Sequence, residues 1–225
     1  MDISDLKITK SIVLSENDAL IIVDMQYDFL PGGSLEVKKG DEIIDGINSI
    51  GKIFSENLCK VVLTQDWHPK NHLSFASNHP GKKPGDEYST DGIGPVLWPD
   101  HCVQSSEGAK FHKDLNSGLG QVIIRKGVNP KVDSYSAFRD KQKKQETGLK
   151  GYLKSLKIKR IFICGLALDY CCYYTALDAV EFGFEPYLLI NLTRGIDAPE
   201  GSISRALKDM QNNGIKFARS LESFN

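Results

Sequence analysis

Six short apolar runs of strand length, separated by segments with helical periodicity, constrain the fold of this chain more than any other feature. The runs occupy residues 19–25, 60–66, 121–126, 160–165, 185–192 and 215–220. Between most of them, apolar residues recur with helical spacing, at residues 41–56, 148–156, 175–182 and 202–212. Strands that alternate with helices predict a three-layer α/β fold, in which a doubly wound and mostly parallel sheet carries helices on both faces.

Length and composition fit one globular domain. The chain has 225 residues, 40% of them hydrophobic, so we expect residues 1–225 to form a single domain with residues 1–18 as an N-terminal extension. The formal net charge is -1 and the basic residues are dispersed, so neither nucleic acid nor an anionic membrane is an expected partner. A homo-oligomer is left open by the sequence.

The sequence predicts a cytoplasmic protein. The first eighteen residues lack the apolar stretch of a secretory signal, and no later run reaches membrane-spanning length. The five cysteines are an odd number without the spacing of a disulfide framework, which is typical of a reducing compartment.

Three chemically active residues stand where strands of the predicted sheet end. Asp24 closes the first run, Lys126 closes the third, and Cys171 follows the fourth run at the start of a helical pattern. Because the carboxyl ends of parallel strands meet at one edge of a sheet, these residues predict an acid–base assisted thiol nucleophile. The free amides at a helix start also predict a lowered pKa for Cys171. Taken singly, the three have plainer interpretations as a cap, a solvated strand end and a small buried cysteine.

A second group of residues has the spacing of metal ligands. Asp66 and His68 are two apart, so in an extended segment both side chains project to the same side and can chelate one ion. His101 can supply a third ligand from residues 67–116, a long proline-rich connection that we expect to be irregular and functional. These ligand types suit Zn²⁺ and also Fe²⁺ or Mn²⁺. The alternative interpretation is a strand-end cap with two surface histidines.

Six motifs occur in this chain in the order in which one enzyme family has them. They are VDMQYDF at residues 23–29, DWHP at 66–69, WPDHC at 98–102, RKG at 125–127, SYSAF at 134–138 and GLALDYC at 165–171. From about Ala19 to its C-terminus the chain resembles the nicotinamidases, also called pyrazinamidases, of the isochorismatase-like cysteine hydrolases. The resemblance implies the strand order 3-2-1-4-5-6 and the hydrolysis of nicotinamide to nicotinate and ammonia. It also implies pyrazinamide as a second substrate and a role in NAD salvage.

The resemblance gives roles to the matching positions. It implies that Cys171 is the nucleophile and forms a thioester, that Asp24 moves protons, and that Lys126 is the cation beside them. The amides of Ala167 and Cys171 form the oxyanion hole in this assignment, with a cis peptide between Leu166 and Ala167. It also implies that Asp66, His68 and His101 are the ligands of one divalent ion, with Zn²⁺ as the first candidate. The aromatic walls around the substrate ring are then Phe29, Trp98 and Tyr135.

The chain departs from the family pattern at two positions near the nucleophile. Leu168 stands where threonine is frequent and Cys172 where valine is frequent, which affects the expected substrate preference and not the reaction class. We interpret Cys172 as packing toward the core, and the other three cysteines as structural.

Three further histidines are left out of the predicted site. His72 follows His68 at a spacing that belongs to family members in which water completes the metal sphere. His79 and His112 are interpreted as exposed loop residues.

Two alternatives to a nicotinamidase stay open. Another amidase of the superfamily, acting on N-carbamoylsarcosine or ureidoacrylate, would share the acid, the lysine and the cysteine but generally lacks the metal residues. A non-catalytic metal-binding protein would need the metal residues but not the other three.

Overall fold

The computed structural model of the chain describes residues 5–220 and 222–224. Its centre is a six-stranded sheet in the order β3-β2-β1-β4-β5-β6, in which every strand pair is parallel. The strands are β1 Asp18–Val23, β2 Lys60–Asp66, β3 Val122–Lys126, β4 Arg160–Leu166, β5 Glu185–Arg194 and β6 Lys216–Ala218. The predicted strand order is confirmed, and the sheet is wholly rather than mostly parallel.

Each predicted strand region contains a strand, and only the ends differ. β2 spans the predicted residues 60–66 unchanged. β5 runs on from the predicted end at residue 192 to Arg194. β6 keeps 3 residues of the region 215–220, where it pairs with β5 at the edge of the sheet.

The helices in the described part of the chain are α1 Ile44–Glu56, α2 Leu149–Ser155, α3 Tyr173–Glu181 and α4 Ser202–Asn212. A single 3-10 turn at Asp41–Ile43 leads into α1. The apolar side chains of α1 pack in the core on one face of the sheet, whereas those of α2, α3 and α4 pack on the other. Helices therefore cover both faces, as predicted.

The first strand shows why both faces have to be covered. Ala19, Ile21 and Val23 belong to the core beneath α2, α3 and α4, and Leu20 and Ile22 belong to the core beneath α1. None of the five is more than 2% exposed. Successive residues of a strand point to opposite faces, so a parallel strand buried on both sides is apolar throughout.

The carboxyl ends of the central strands meet at one edge of the sheet. The register pairs Asp66 with Lys126 across β2 and β3, and Val23 with Gly165 across β1 and β4. Gly165 has φ +104°, and a Cβ atom there would lie 2.1 Å from the carbonyl oxygen of Val23, so the close approach of these strands requires glycine. Asp24 leaves β1 at this same edge.

Residues 67–116 form the long irregular connection that the sequence predicts. A 3-10 turn at Ala76–Asn78 and a small apolar core lie within it. Isolated backbone bridges join His68 to Val103 and Gln26 to Phe111. The connection therefore returns to the carboxyl edge of the sheet.

The segment before β1 is tied to the C-terminal part of the chain, because Ile8 and Ile12 form single bridges to Phe217 and Phe224. Residues 1–4 of the predicted N-terminal extension lie outside the described residues. Within residues 5–220 and 222–224, no helix has both the length and the apolar character needed to span a bilayer.

Candidate active site

Cys171 lies in the connection between β4 and α3. The chain passes a cis peptide between Leu166 and Ala167 and then forms one π-type turn over Leu168–Cys172, which continues into α3. The predicted strand-to-helix position of the thiol and the predicted cis peptide are both present in the structure. The carbonyl oxygen of Ala167 closes the turn by accepting hydrogen bonds from the two amides on either side of Cys171, at 3.2 and 3.1 Å.

Asp24, Lys126 and Cys171 come together around the ammonium group of the lysine. Nζ of Lys126 lies 2.8 Å from Oδ2 of Asp24 and donates to Sγ of Cys171 at 3.3 Å. It also donates to Oδ1 of Asp66. The hydroxyl of Thr64 donates to the other oxygen of Asp24 at 2.6 Å. The acid, the amine and the thiol are at most 6% exposed, so they meet out of contact with bulk solvent.

Burial dominates the electrostatics of these three groups. It raises the pKa of Asp24, and the charge of Lys126 offsets this only in part. Burial also raises the pKa of Cys171 well above its ordinary value, again against the effect of Lys126. The lysine is an exception: burial alone would lower its pKa, but the neighbouring carboxylates outweigh burial and raise it. The prediction of a lowered pKa for Cys171 is therefore wrong, because full desolvation of the thiolate outweighs the helix start and the lysine.

Asp66, His68 and His101 form a buried cluster. One ligand atom from each lies within 4.8 Å of the other two, and Oδ2 of Asp66 is 3.5 Å from Nε2 of His68. Burial would raise the pKa of Asp66, but Lys126 and His68 outweigh it and hold this pKa well below its usual range. Burial lowers the pKa of His101 to about 4, so this ring is neutral near pH 7 and free to ligate.

The hydrogen bonds of the two rings fit a metal site. Nδ1 of His68 lies 2.9 Å from the carbonyl oxygen of Gly127, and Nδ1 of His101 lies 2.8 Å from that of Pro99. Because a carbonyl oxygen can only accept, Nδ1 carries the proton in each ring and Nε2 keeps its lone pair. Two imidazole nitrogens and a carboxylate oxygen are a donor set for a divalent ion, so the residues present fit the predicted metal.

The segment that carries His101 is fixed to the end of β2. The amide of His68 donates to the carbonyl of Cys102 at 3.0 Å, and the amide of Gln104 donates back to the carbonyl of His68 at 2.8 Å. The carboxylate of Asp28 accepts a 2.7 Å hydrogen bond from the amide of Cys102. These contacts hold the third ligand beside the first two.

Two residues that support the cluster were not singled out from the sequence. The side chain of Gln26 brackets the backbone of Asp66, donating to its carbonyl and accepting from its amide, each at 2.8 Å. Gly127 has φ +69°, and a Cβ atom there would lie 2.3 Å from the His68 ring, so glycine is required beside the ligand. Both lie within motifs already identified, VDMQYDF and RKG, which is the signal that could have found them.

His72 lies next to the candidate metal ligands Asp66, His68 and His101 without belonging to that group. It is fully buried, its ring centroid is 4.5 Å from that of His68, and its Nδ1 lies 2.7 Å from the hydroxyl of Ser74. Among the described residues, the group of ligand atoms within 4.8 Å does not include it. The interpretation of His79 and His112 as exposed is wrong: both are half-buried, because their rings pack on tyrosine rings at centroid distances of 4.6 and 4.9 Å.

The predicted aromatic walls lie around these groups. The ring of Phe29 is 5.6 Å from that of His101. The indole of Trp98 packs edge-on against Tyr170, the residue before the thiol, at 5.1 Å, and its Nε1 donates to the hydroxyl of Tyr135 at 3.1 Å. A cleft of about 570 Å³ borders Trp98. Phe29 therefore lies beside a candidate metal ligand, and Trp98 and Tyr135 both lie beside Tyr170; Phe29 and Trp98 also pack in the apolar cores.

The two departures from the family pattern are core residues. Leu168 is 2% exposed and Cys172 fully buried, and both belong to the apolar core on the α3 side of the sheet. The interpretation of Cys172 as a core residue is confirmed. All five cysteines are free and buried.

Known proteins resemble this chain over nearly its whole length. Residues 18–220 match the isochorismatase domain family. The chain is 44% identical over 202 residues to a nicotinamidase from Acinetobacter baylyi, an overlap of 90% of this chain and 92% of the relative.

Two solved structures share its fold. PnC1 from L. infantum in complex with nicotinate has a TM-score of 0.81 and 40% identity, covering 98% of this chain and 99% of that one. The pyrazinamidase of Pyrococcus horikoshii in complex with zinc has a TM-score of 0.74 and 40% identity, covering 90% of this chain and 99% of that one. Residues 18–220, which match the family, include every strand of the sheet and the six predicted catalytic and metal-ligand residues Asp24, Lys126, Cys171, Asp66, His68 and His101.

Proposed function

The chain belongs to the isochorismatase domain family, and we propose that it is a nicotinamidase, which hydrolyses nicotinamide to nicotinate and ammonia. It is an amidohydrolase, an enzyme that cleaves a carbon–nitrogen bond. One observation carries the proposal: Lys126 contacts Asp24, Cys171 and Asp66 at once, so a thiol and its acid–base group lie beside a cluster of metal ligands. The A. baylyi relative is a nicotinamidase, and the L. infantum protein binds nicotinate, the product of this reaction.

In the proposed mechanism Cys171 attacks the carboxamide carbon. Because burial raises its pKa, the thiol is protonated at rest and loses its proton as the carbon–sulfur bond forms. Asp24 accepts that proton: its carboxylate lies within 4.8 Å of the sulfur, and burial raises its pKa, which makes it a stronger base than an exposed aspartate. Lys126 remains charged and offsets the negative charge that passes from the carboxylate to the substrate oxygen.

The tetrahedral adduct then collapses with loss of ammonia. Its oxyanion accepts hydrogen bonds from the amides of Ala167 and Cys171. Asp24 gives its proton to the amide nitrogen, the carbon–nitrogen bond breaks, and ammonia leaves a thioester on the sulfur. Water adds to the thioester while Asp24 takes its proton; the carbon–sulfur bond then breaks and Asp24 returns that proton to the sulfur, which restores the thiol and releases nicotinic acid, which ionises to nicotinate.

Asp66, His68 and His101 hold one divalent ion in this proposal. Zn²⁺ is the first candidate, because the ligands are two imidazoles and a carboxylate and because the P. horikoshii pyrazinamidase binds zinc; Fe²⁺ and Mn²⁺ are the alternatives. Such an ion supplies a Lewis acid for the pyridine nitrogen, which orients the carboxamide toward the thiol. The carbonyl groups of Gly127 and Pro99 contribute by keeping the proton on Nδ1 of each ring.

The aromatic residues Phe29, Trp98 and Tyr135 bind the ring in this proposal. A planar heteroaromatic ring can stack on such side chains at little entropic loss. Pyrazinamide has the same carboxamide and a ring nitrogen at the same distance from it, so we expect it to be a substrate as well. Benzamide lacks the nitrogen.

The cellular setting follows from the chemistry. A catalytic thiol among five free cysteines needs a reducing compartment, so we place the protein in the cytoplasm. Its product, nicotinate, places it in NAD salvage, and residues 1–225 act as one catalytic domain.

Turnover measurements test the proposal directly. The purified protein supplied with a divalent ion should release ammonia and nicotinate from nicotinamide in equal amounts, should act on pyrazinamide, and should be much slower on benzamide. Release of ammonia from none of these amides would contradict the proposed substrate class. Equal turnover of benzamide and nicotinamide would contradict the orienting role of the metal while leaving the amidase chemistry intact.

A further inference from the structure

Asp133 contacts the aromatic wall although no step of the proposed mechanism uses it. This carboxylate is 3% exposed. Its Oδ2 accepts a hydrogen bond from the amide of Gly94 at 2.8 Å and lies 3.4 Å from the hydroxyl of Tyr135. The same hydroxyl accepts the 3.1 Å hydrogen bond from Nε1 of Trp98.

The chemistry of the groups fixes the direction of these bonds. An indole N–H can only donate, so the oxygen of Tyr135 accepts from Trp98 and its own proton has to find another acceptor. Two are in reach, the carboxylate of Asp133 and the carbonyl of Gly94 at 3.3 Å. Burial raises the pKa of Asp133 to about 6, so above that pH it is an anion and the stronger acceptor of the two.

The same carboxylate also fixes the backbone near Trp98. The amide of Gly94, four residues before the indole, donates to Asp133, and the ammonium of Lys141 donates to the carbonyl of Gly94 at 3.0 Å. Two connections therefore link Trp98 to Asp133. One runs from the indole through the hydroxyl of Tyr135, and the other runs along the backbone from Trp98 to the amide of Gly94. Both connections end on Asp133.

We propose that Asp133 is a positioning residue that sets the orientation of Trp98 through Tyr135, and thereby how tightly the aromatic ring of the substrate binds. The inference rests on the proposed function, in which Trp98 and Tyr135 form walls of the ring site. Asp133 contacts none of the reacting groups Asp24, Lys126 and Cys171 among its hydrogen-bond partners. Its loss should therefore weaken substrate binding and leave the chemical step intact.

A double-mutant cycle tests this relay, by which we mean the hydrogen-bonded series Asp133, Tyr135 and Trp98. Asp133→Asn keeps the size of the side chain and an acceptor for the amide of Gly94, but removes the charge that attracts the proton of Tyr135. Above pH 6, Asp133→Asn and Tyr135→Phe should each raise the KM for nicotinamide about threefold to tenfold and change kcat by less than about twofold. The double variant should be no worse than Tyr135→Phe alone, because the relay is already broken.

Asp140→Asn is the matched control for Asp133→Asn. Asp140→Asn removes a nearly buried carboxylate from the same segment, one that accepts from the amide of Lys144, and should leave the KM unchanged. Effects of Asp133→Asn and Tyr135→Phe that multiply in the double variant would overturn the relay. So would a loss of kcat at constant KM.

Fluorescence separates the relay from the proposed activity. The chain has two tryptophans, so Trp67→Phe leaves Trp98 as the only indole emitter. In that background Asp133→Asn and Tyr135→Phe should each change the emission maximum of Trp98, whereas Asp140→Asn should not. Unchanged emission in both would overturn the inference. Since this readout needs no turnover, it gives an answer even if the wild-type chain proves inactive on nicotinamide, a result that would contradict the proposed function alone.

Discussion

Lys126 donates a hydrogen bond through its ammonium group to Oδ1 of Asp66. This bond joins the group formed by Asp24, Lys126 and Cys171 to the candidate metal ligands Asp66, His68 and His101. The other oxygen of the same carboxylate lies 3.5 Å from Nε2 of His68. The lysine also lies 2.8 Å from Asp24, so one buried ammonium faces two buried carboxylates. One negative charge is left uncompensated, which a bound cation would offset. Loss of the ion should therefore affect both clusters.

The ligand assignment can be tested by elemental analysis. His68→Ala should remove stoichiometric metal from the purified protein, because Nε2 of this ring belongs to the cluster. His72→Ala should retain it, since His72 is as buried as a ligand but lies outside the cluster. Retention of metal by the first variant and its loss from the second would reverse the assignment.

Chelation should lower the stability of the wild-type protein. An ion at about a thousand times its Kd adds about 4 kcal/mol to the unfolding free energy of a protein that binds it only when folded. Thermal unfolding with and without a chelator should therefore show a lower Tm without metal. In His68→Ala the two curves should coincide, and an equal shift in that variant would place the stabilising ion elsewhere.

Two glycine substitutions separate backbone strain from steric contact with a ligand. Gly127 and Gly148 have φ of +69° and +97°, so alanine at either position is strained by about 1–3 kcal/mol. At position 127 a Cβ atom would also lie 2.3 Å from the His68 ring, whereas at 148 nothing lies within 4 Å. Gly127→Ala should therefore lose more unfolding free energy in urea denaturation and bind metal more weakly. Equal losses with unchanged metal affinity would contradict the steric argument.

The parallel sheet and the strand-end residues could be predicted because each depends on neighbours in the sequence. An apolar run of strand length defines a strand, and the polar residue that ends it, such as Asp24 or Lys126, lies at its carboxyl end. The strand order came only from the family resemblance, since periodicity does not say which strands are neighbours. The prediction made β6 too long: only the three residues Lys216–Ala218 pair with β5, and nothing in the local sequence pattern marks where that pairing stops.

The remaining features depend on distances that the sequence does not contain. Gln26 contacts Asp66 over 40 positions, and Asp133 contacts Gly94 over 39. The raised pKa of Cys171 likewise follows from burial by residues far along the chain, which outweighs the local effect of the helix start. The local sequence pattern predicts where the thiol lies, but it does not predict whether the thiol is protonated.

The raised pKa of Asp133 predicts how stability varies with pH. It is about 6 in the folded protein against an ordinary value of 3.8. Between these values the folded state binds more protons than the unfolded state, so the unfolding free energy falls as pH rises from about 4 to about 6. The contribution lost is at most about 3 kcal/mol. Asp133→Asn should flatten this part of the curve in urea denaturation, and an unchanged slope would contradict the raised pKa.

The two adjacent cysteines should differ in function. Cys171→Ala should fold and lower kcat at least about a thousandfold, whereas Cys172→Val should retain most activity because Cys172 packs in the apolar core. Since burial raises the pKa of Cys171, its labelling by iodoacetamide should be slow at neutral pH and accelerate as pH rises. Peptide mapping that placed the inactivating label on Cys172 would reverse the two roles.

The thioester on Cys171 is the intermediate on which the proposed mechanism depends, and mass spectrometry can detect it. Turnover of nicotinamide is stopped with acid, and the peptide that carries Cys171 is analysed after digestion. We predict one nicotinoyl group on the sulfur of Cys171 in the wild-type protein, and no such group on this peptide from Cys171→Ala. A nicotinoyl group on another residue, or turnover by Cys171→Ala at the wild-type rate, would contradict the mechanism.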